Sequence, residues 1–180
     1  FGVSYAVDRN KPAIPYVKIY TPLQSQQRTV SEIVELVLED LAEATELLKS
    51  DPIYTGETIT EVDDNGYLIN RQLHLNYYAV KGIMARVYLY KGDDTQAAGW
   101  AREVIESGKF NWVPQNDMID GIDPGGASEQ RWGIDVNNLE KIASNYFSSS
   151  GKATFSLDAD TRSLYYDGIP TDYRYLYLFV

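Results

Sequence analysis

Tyr78-Ala79-Val80-Lys81-Gly82-Ile83-Met84-Ala85-Arg86-Val87-Tyr88-Leu89-Tyr90-Lys91-Gly92-Asp93 is the stretch on which the fold turns. Tyr78, Ala79, Ile83, Ala85, Val87, Tyr88, Leu89 and Tyr90 leave it hardly any polar side, which predicts a helix over residues 73–91 packed by neighbours on several sides. Gly92 predicts its end, since glycine adopts a left-handed C-terminal cap without a Cβ clash. Asp93, with Gln96 three residues on, predicts a second helix over residues 94–107. Ala97, Ala98, Ala101, Val104 and Ile105 form its apolar face, and Gly108 closes it. So short a connection makes the two helices an antiparallel hairpin.

Upstream, Thr29-Val30-Ser31-Glu32 is a capping box, with a hydroxyl for the free N–H groups of a helix start and a Glu to reach back. Ile33, Val34, Val37, Leu38, Leu41, Ala44 and Leu48 follow at three- and four-residue spacing, with Glu35, Glu39, Glu43 and Glu46 on the other side. A helix over residues 29–50 is expected, stopped by Asp51-Pro52. Before it, Pro12, Pro15 and Pro22 favour extended chain. Between the first two helices, the alternation Glu57-Thr58-Ile59-Thr60-Glu61-Val62, the turn residues Asp63-Asp64-Asn65-Gly66 and then Tyr67-Leu68-Ile69 predict a β-hairpin. Beyond Phe110, residues 111–180 read as loop-rich, with a strand expected over Glu129–Val136 and a helix over Asn138–Tyr146. A Ser/Gly-rich loop is expected over Phe147–Thr154, a helical turn over Arg162–Asp167 and an extended aromatic end. The expected fold class is therefore mostly α: antiparallel helix hairpins with a small β-hairpin and long irregular loops.

Composition narrows the function. The 180 residues hold 16 basic and 26 acidic side chains for a net charge of −10, acidic in both halves, which argues against nucleic acid or another polyanion as partner. No cysteine is present, which excludes thiolate chemistry, Cys-based zinc sites and iron–sulfur clusters. Phe1-Gly2-Val3 is not a signal-peptide start, and the apolar Tyr173–Val180 end has no closing turn, so the chain is read as a fragment.

The hairpin, with Ala85 and Ala97 allowing close approach where the helices cross, Tyr88 filling the wider gap and Gly92-Asp93 making the turn, resembles a tetratricopeptide helix pair. Three stretches in order carry a more specific likeness. They are Arg28-Thr29-Val30-Ser31-Glu32-Ile33 leading to Glu39-Asp40-Leu41 and Leu47-Leu48, then Tyr78 to Tyr90, then Ala97 to Ala101 with Val104-Ile105-Glu106-Ser107-Gly108-Lys109-Phe110. Farther on come Ser128-Glu129-Gln130-Arg131-Trp132 and, within Gly168 to Arg174, Asp172 and Arg174. In this order the chain resembles the SusD/RagB-like family of the Bacteroidetes, over the middle of a family sequence. The resemblance implies a tetratricopeptide-like α-α superhelix in which residues 29–50, 73–91 and 94–107 form the helical core of one SusD-like domain fragment, 1–180. It also implies binding of glycans or other oligomeric nutrients, an oligosaccharide or a peptide, without chemistry or cofactor. The partner implied is a TonB-dependent, SusC-like transporter, with the full-length parent lipid-anchored at the surface of the outer membrane. A tetratricopeptide-type protein interaction module and an α-helical glycosidase are the alternatives.

Other chemistries find little support. His74 has no second histidine for a metal pair and reads as a partly buried or capping imidazole. Glu61, Asp63, Asn65 and Gly66 imitate half a calcium loop, but Gln72 stands where a bidentate Glu is required, so a turn explains them. Glu39-Asp40, Asp63-Asp64 and Asp93-Asp94 are read as helix faces and caps rather than a catalytic carboxylate pair. Fifteen of 23 aromatic residues are tyrosine, suited to packing or to sugar stacking. Tyr78, Tyr88, Tyr90 and Phe110 are assigned to packing, Trp100 to covering a helix contact and Trp132 to a strand core. Trp112, Tyr146, Phe147 and Tyr166 flank polar or Gly/Ser-rich loops and are the candidate ligand-binding residues.

Overall fold

A computed structural model describes residues 4–122, 126–134, 136–147, 158–166, 169, 171–172 and 175–176. The chain divides into two compact units, Phe1–Phe110 and Asn111–Val180. It is mostly helical, with one small two-stranded antiparallel sheet among the described residues.

In the first unit, helix α1 (Tyr5–Asp8) leads to strands β1 (Pro12–Pro15) and β2 (Gln27–Thr29), which pair with Pro12 opposite Thr29 and Pro15 opposite Gln27. Two prolines in β1 remove ladder donors, which keeps the sheet to two short strands. The second strand runs directly into helix α2 (Val30–Leu47), and Val30 and Ser31 donate backward to the Lys11 and Arg9 carbonyls at 3.0 and 2.8 Å. The capping box forms as the sequence predicts: Glu32 N–H donates to Thr29 Oγ1 at 3.2 Å and Thr29 N–H to Glu32 Oε2 at 2.8 Å. Val30, Val34 and Leu38 go inside.

The hairpin expected between Tyr54 and Asn70 does not form. Asp51 caps a short helix α3 (Pro52–Thr55), Gly56 ends it at φ 76°, and Asp63–Gly66 and Arg71–Leu73 are 3₁₀ turns. The reason is local competition. Asp63 Oδ2 accepts from both Thr60 N–H (2.8 Å) and Thr60 Oγ1 (2.7 Å), capturing a donor that a strand ladder would need, and Val62 stays in solvent with no sheet face to join. Asn65 and Gly66 do take positive φ, 53° and 78°, but at the end of a 3₁₀ turn.

Helix α4 spans Tyr77–Lys91, four residues shorter at its start than expected. Asn76 sets the boundary, because its Oδ1 accepts from Ala79 N–H at 2.9 Å while its Nδ2 donates to the Arg71 carbonyl at 3.0 Å. Gly92, at φ 83°, ends the helix. Asp93 then caps helix α5 (Asp94–Glu106) by accepting from Gln96 N–H at 3.1 Å, as read from the sequence. Tyr77, Tyr78 and Val104 make the core cluster, against Leu48, Ile53 and Phe110. Tyr78 meets both Tyr77 and Phe110 edge-on, at 5.3 and 5.7 Å between ring centres.

The second unit holds α6 (Gln115–Ile119), a 3₁₀ turn at Ala127–Glu129, α7 (Leu139–Phe147) and α8 (Ala159–Tyr166). None of its described residues is buried. The strand expected over Glu129–Val136 is absent from the described part of that segment. Glu129 belongs to the 3₁₀ turn, and no neighbouring strand offers Gln130 to Ile134 a ladder. The helix expected from Asn138 begins at Leu139, with Asn138 at φ 63° before it. Residues 162–166 of the helical turn expected over Arg162–Asp167 are part of α8, and Asp167 lies outside the described residues. The described part of the final segment is not extended: Leu176 N–H donates to the Asp172 carbonyl at 3.1 Å in a helical turn. The Ser/Gly-rich loop, after Phe147, lies outside the described residues.

Two outcomes follow for stability. Removing the capping hydroxyl with Thr29→Ala costs about 1 kcal/mol in urea denaturation. The Thr29 backbone N–H, then its hydroxyl, hold the Glu32 carboxyl below its ordinary 4.5, so the contribution is complete above that pH and is lost as pH falls through the folded value. The gap between wild type and Thr29→Ala is therefore full at neutral pH and narrows in acid. Asp51→Ala, which strands the buried Arg71 guanidinium, costs about 3–5 kcal/mol by the same measurement.

Candidate functional site

Trp112 is 70% exposed, and the peptide that links it to Val113 is tied down by one hydrogen bond. Val113 N–H donates to Glu129 Oε1 at 2.9 Å, and the Val113 side chain lies 3.7 Å from where a Cβ on Gly126 would stand. Gly126 itself sits at φ 68°, a conformation that favours glycine. An exposed indole offers a flat apolar face on which a ligand can stack. Tyr146 and Phe147, 47% and 68% exposed, are consecutive at the end of α7. Tyr166 is half-buried on α8 with its ring 5.6 Å from that of Tyr175 at 48°, so one of its faces is already engaged. The four candidates thus fall on three segments of the second unit, with Trp112 the most open.

The packing assignments hold with two corrections. Tyr78 is core, Tyr88 and Phe110 are half-buried, and Trp100 is half-buried on α5. Tyr90 is exposed instead, its ring 6.3 Å edge-on from Tyr5 and its hydroxyl accepting from Tyr5 N–H at 3.1 Å. Trp132 is 42% exposed, since no strand forms in the described part of Glu129–Val136. His74 is half-buried with its ring 4.5 Å from Tyr67, and no cluster of three metal-ligating side chains occurs among the described residues. Asp40 pairs with Lys18 at 3.3 Å, and Asp63 and Asp93 hold turns and caps, in line with the turn and cap assignments.

Two features escaped sequence reasoning. Lys81 is buried in α4, paired with Glu103 of α5, with its ammonium 4.8 Å from the Tyr77 ring centre and 5.3 Å from that of Trp100. Its signal was a lone cation amid apolar residues, which periodicity alone does not orient. Burial disfavours its charge, but the hydrogen bonds to Glu103 and Tyr77 outweigh burial and hold its pKa above the ordinary 10.5. The second is a cavity of about 350 Å³ between α2 and α4, floored by Val34, Val37, Ile83 and Val87. Its signal was the pair of four-residue spacings, read as core. Compared with known proteins, the chain matches no family model, no curated protein and no solved structure.

Because Lys81 titrates higher in the folded state, its contribution is present below the ordinary 10.5 and is lost as pH rises through the folded value. Glu103→Gln removes the charged partner, so in urea melts the variant is less stable than wild type at neutral pH, and the gap between them narrows as pH rises through the wild-type folded value.

Proposed function

We propose that this chain is part of a SusD/RagB-like protein that binds glycans or other oligomeric nutrients at the bacterial cell surface and passes them, unaltered, to a TonB-dependent, SusC-like transporter in the outer membrane. In this reading the helices of the first unit belong to a tetratricopeptide-like superhelix, and the parent protein is anchored by lipid at the outer-membrane surface. Aromatic residues of the second unit supply the ligand contacts, with Trp112, Tyr146, Phe147 and Tyr166 as the binding residues.

The observation that carries the reading is the Trp112 indole, 70% exposed beside a backbone fixed by Glu129. Aromatic faces of this kind bind the apolar faces of sugar rings, and hydrogen-bonding groups around them set orientation. Support for the scaffold comes from the α4–α5 hairpin, turned in two residues by Gly92 and Asp93, and from α2 packing on α4 in the order the resemblance implies. The acidic balance of the chain suits a neutral ligand better than a polyanionic one.

Calorimetry and tryptophan fluorescence against a panel of neutral oligosaccharides and short peptides test this. A binder is expected whose affinity falls by about 1–3 kcal/mol in Trp112→Ala with unchanged thermal stability. Release of product from a bound oligosaccharide, or affinity untouched by substitution of all four aromatics, would count against it.

A further inference from the structure

We propose that the groove between α2 and α4 is a docking site for an amphipathic helix that sets a carboxylate against Arg86. The floor is apolar, with Val34 buried and Ile33, Val37, Ile83 and Val87 half-buried, and the space is about 350 Å³. Along α4 the lining runs from Ile83 to Tyr90, about 10 Å at the rise of a helix, which is two turns of a docked helix. Four-residue spacings on both walls, Ile33 with Val37 and Ile83 with Val87, make the ridges between which a third helix seats its own apolar side chains at i, i+4 and i+7.

Of the polar groups of the lining, the Arg86 guanidinium is a donor only and the Tyr90 hydroxyl already accepts from Tyr5 N–H at 3.1 Å, and no carboxylate lines the groove. Arg86 is exposed and makes no ion pair or hydrogen bond among the described residues. Of the acids of α2, Glu35 pairs with Lys91 at 2.7 Å, and Asp40 pairs with Lys18 at 3.3 Å and accepts from the Tyr16 hydroxyl. An apolar trough with one unmet positive charge on its lip complements an apolar helix face with an acidic neighbour. The site lies wholly within the first unit and does not depend on the glycan-binding reading.

The test uses the 180-residue chain and two stapled helical peptides, identical in Leu at i, i+4 and i+7, one with Glu and one with Lys beside them. In fluorescence anisotropy the Glu peptide is expected to bind tighter than the Lys peptide by about fivefold, the scale of one exposed charge pair. Arg86→Glu, an exposed change checked for folding by circular dichroism, reverses the order, and Ile83→Asp abolishes both. Equal binding of the two peptides, an order unchanged by Arg86→Glu, or no binding of either overturns the proposal. So does self-association of the chain lost in Ile83→Asp, which assigns the groove to a second copy. If Ile83→Asp does not fold, the reversal by Arg86→Glu decides alone.

Discussion

One buried carboxylate organises the first unit. Asp51 accepts from Arg71 Nε and Nη2 at 3.0 and 2.9 Å, from Ile53 N–H at 3.1 Å and from Tyr77 N–H at 3.2 Å. It thereby joins the end of the α2 segment, the cap of α3, the 3₁₀ turn before α4 and the first turn of α4. Burying two charges is costly, and the pair is tolerated because Asp51 is saturated by donors and Arg71 also donates to the Leu75 carbonyl at 3.0 Å. The geometry obliges α4 to begin with Tyr77 and Tyr78 turned into the core, where Tyr54, Phe110 and Val104 meet them.

From that start, α4 is the hub of the unit, with α2 on one side and α5 on the other. In its first two turns Tyr77 to Lys81 and Met84 are buried, and the last two carry exposed Arg86, Leu89 and Tyr90. Burial at one end and exposure at the other leave a helix that is anchored firmly yet presents a groove. Lys81 lies at the anchored end, its ammonium between two rings and its charge met by Glu103 of α5, so the α4–α5 contact is electrostatic as well as apolar. The second unit is built differently. Among its described residues, short helices and turns bury no side chain fully and leave the Trp112, Tyr146 and Phe147 rings exposed, and Glu129 accepts from the peptide that follows Trp112.

Much of this was legible residue by residue. Capping chemistry is local, so Thr29 with Glu32 and Asp93 with Gln96 mark helix starts that need no tertiary knowledge, and Gly92 marks an end for the same reason. The hairpin read into residues 57–69 failed because Asp63 and Thr60 satisfy one another within a few residues, a competition that alternation of polarity does not weigh. Asn76 moved the start of α4 for a related reason. Its amide serves both the helix and the preceding turn, whereas hydrophobic periodicity ran smoothly through it. Trp132 shows the converse, since a ring assigned to a strand is exposed where no partner strand occurs among the described residues.

The chain by itself determined the order of the three long helices, the caps of α2 and α5, the two-residue turn between α4 and α5 and the aromatic supply of the second unit, because these depend on neighbours within four residues. Only the tertiary structure decided that Asp51 meets Arg71 twenty residues away, that Lys81 is buried against Trp100, and that Trp112, among the loop aromatics, stands on a fixed backbone. Those outcomes require segments distant in sequence to share one place, and burial and charge pairing there depend on what arrives from elsewhere, which no local pattern records.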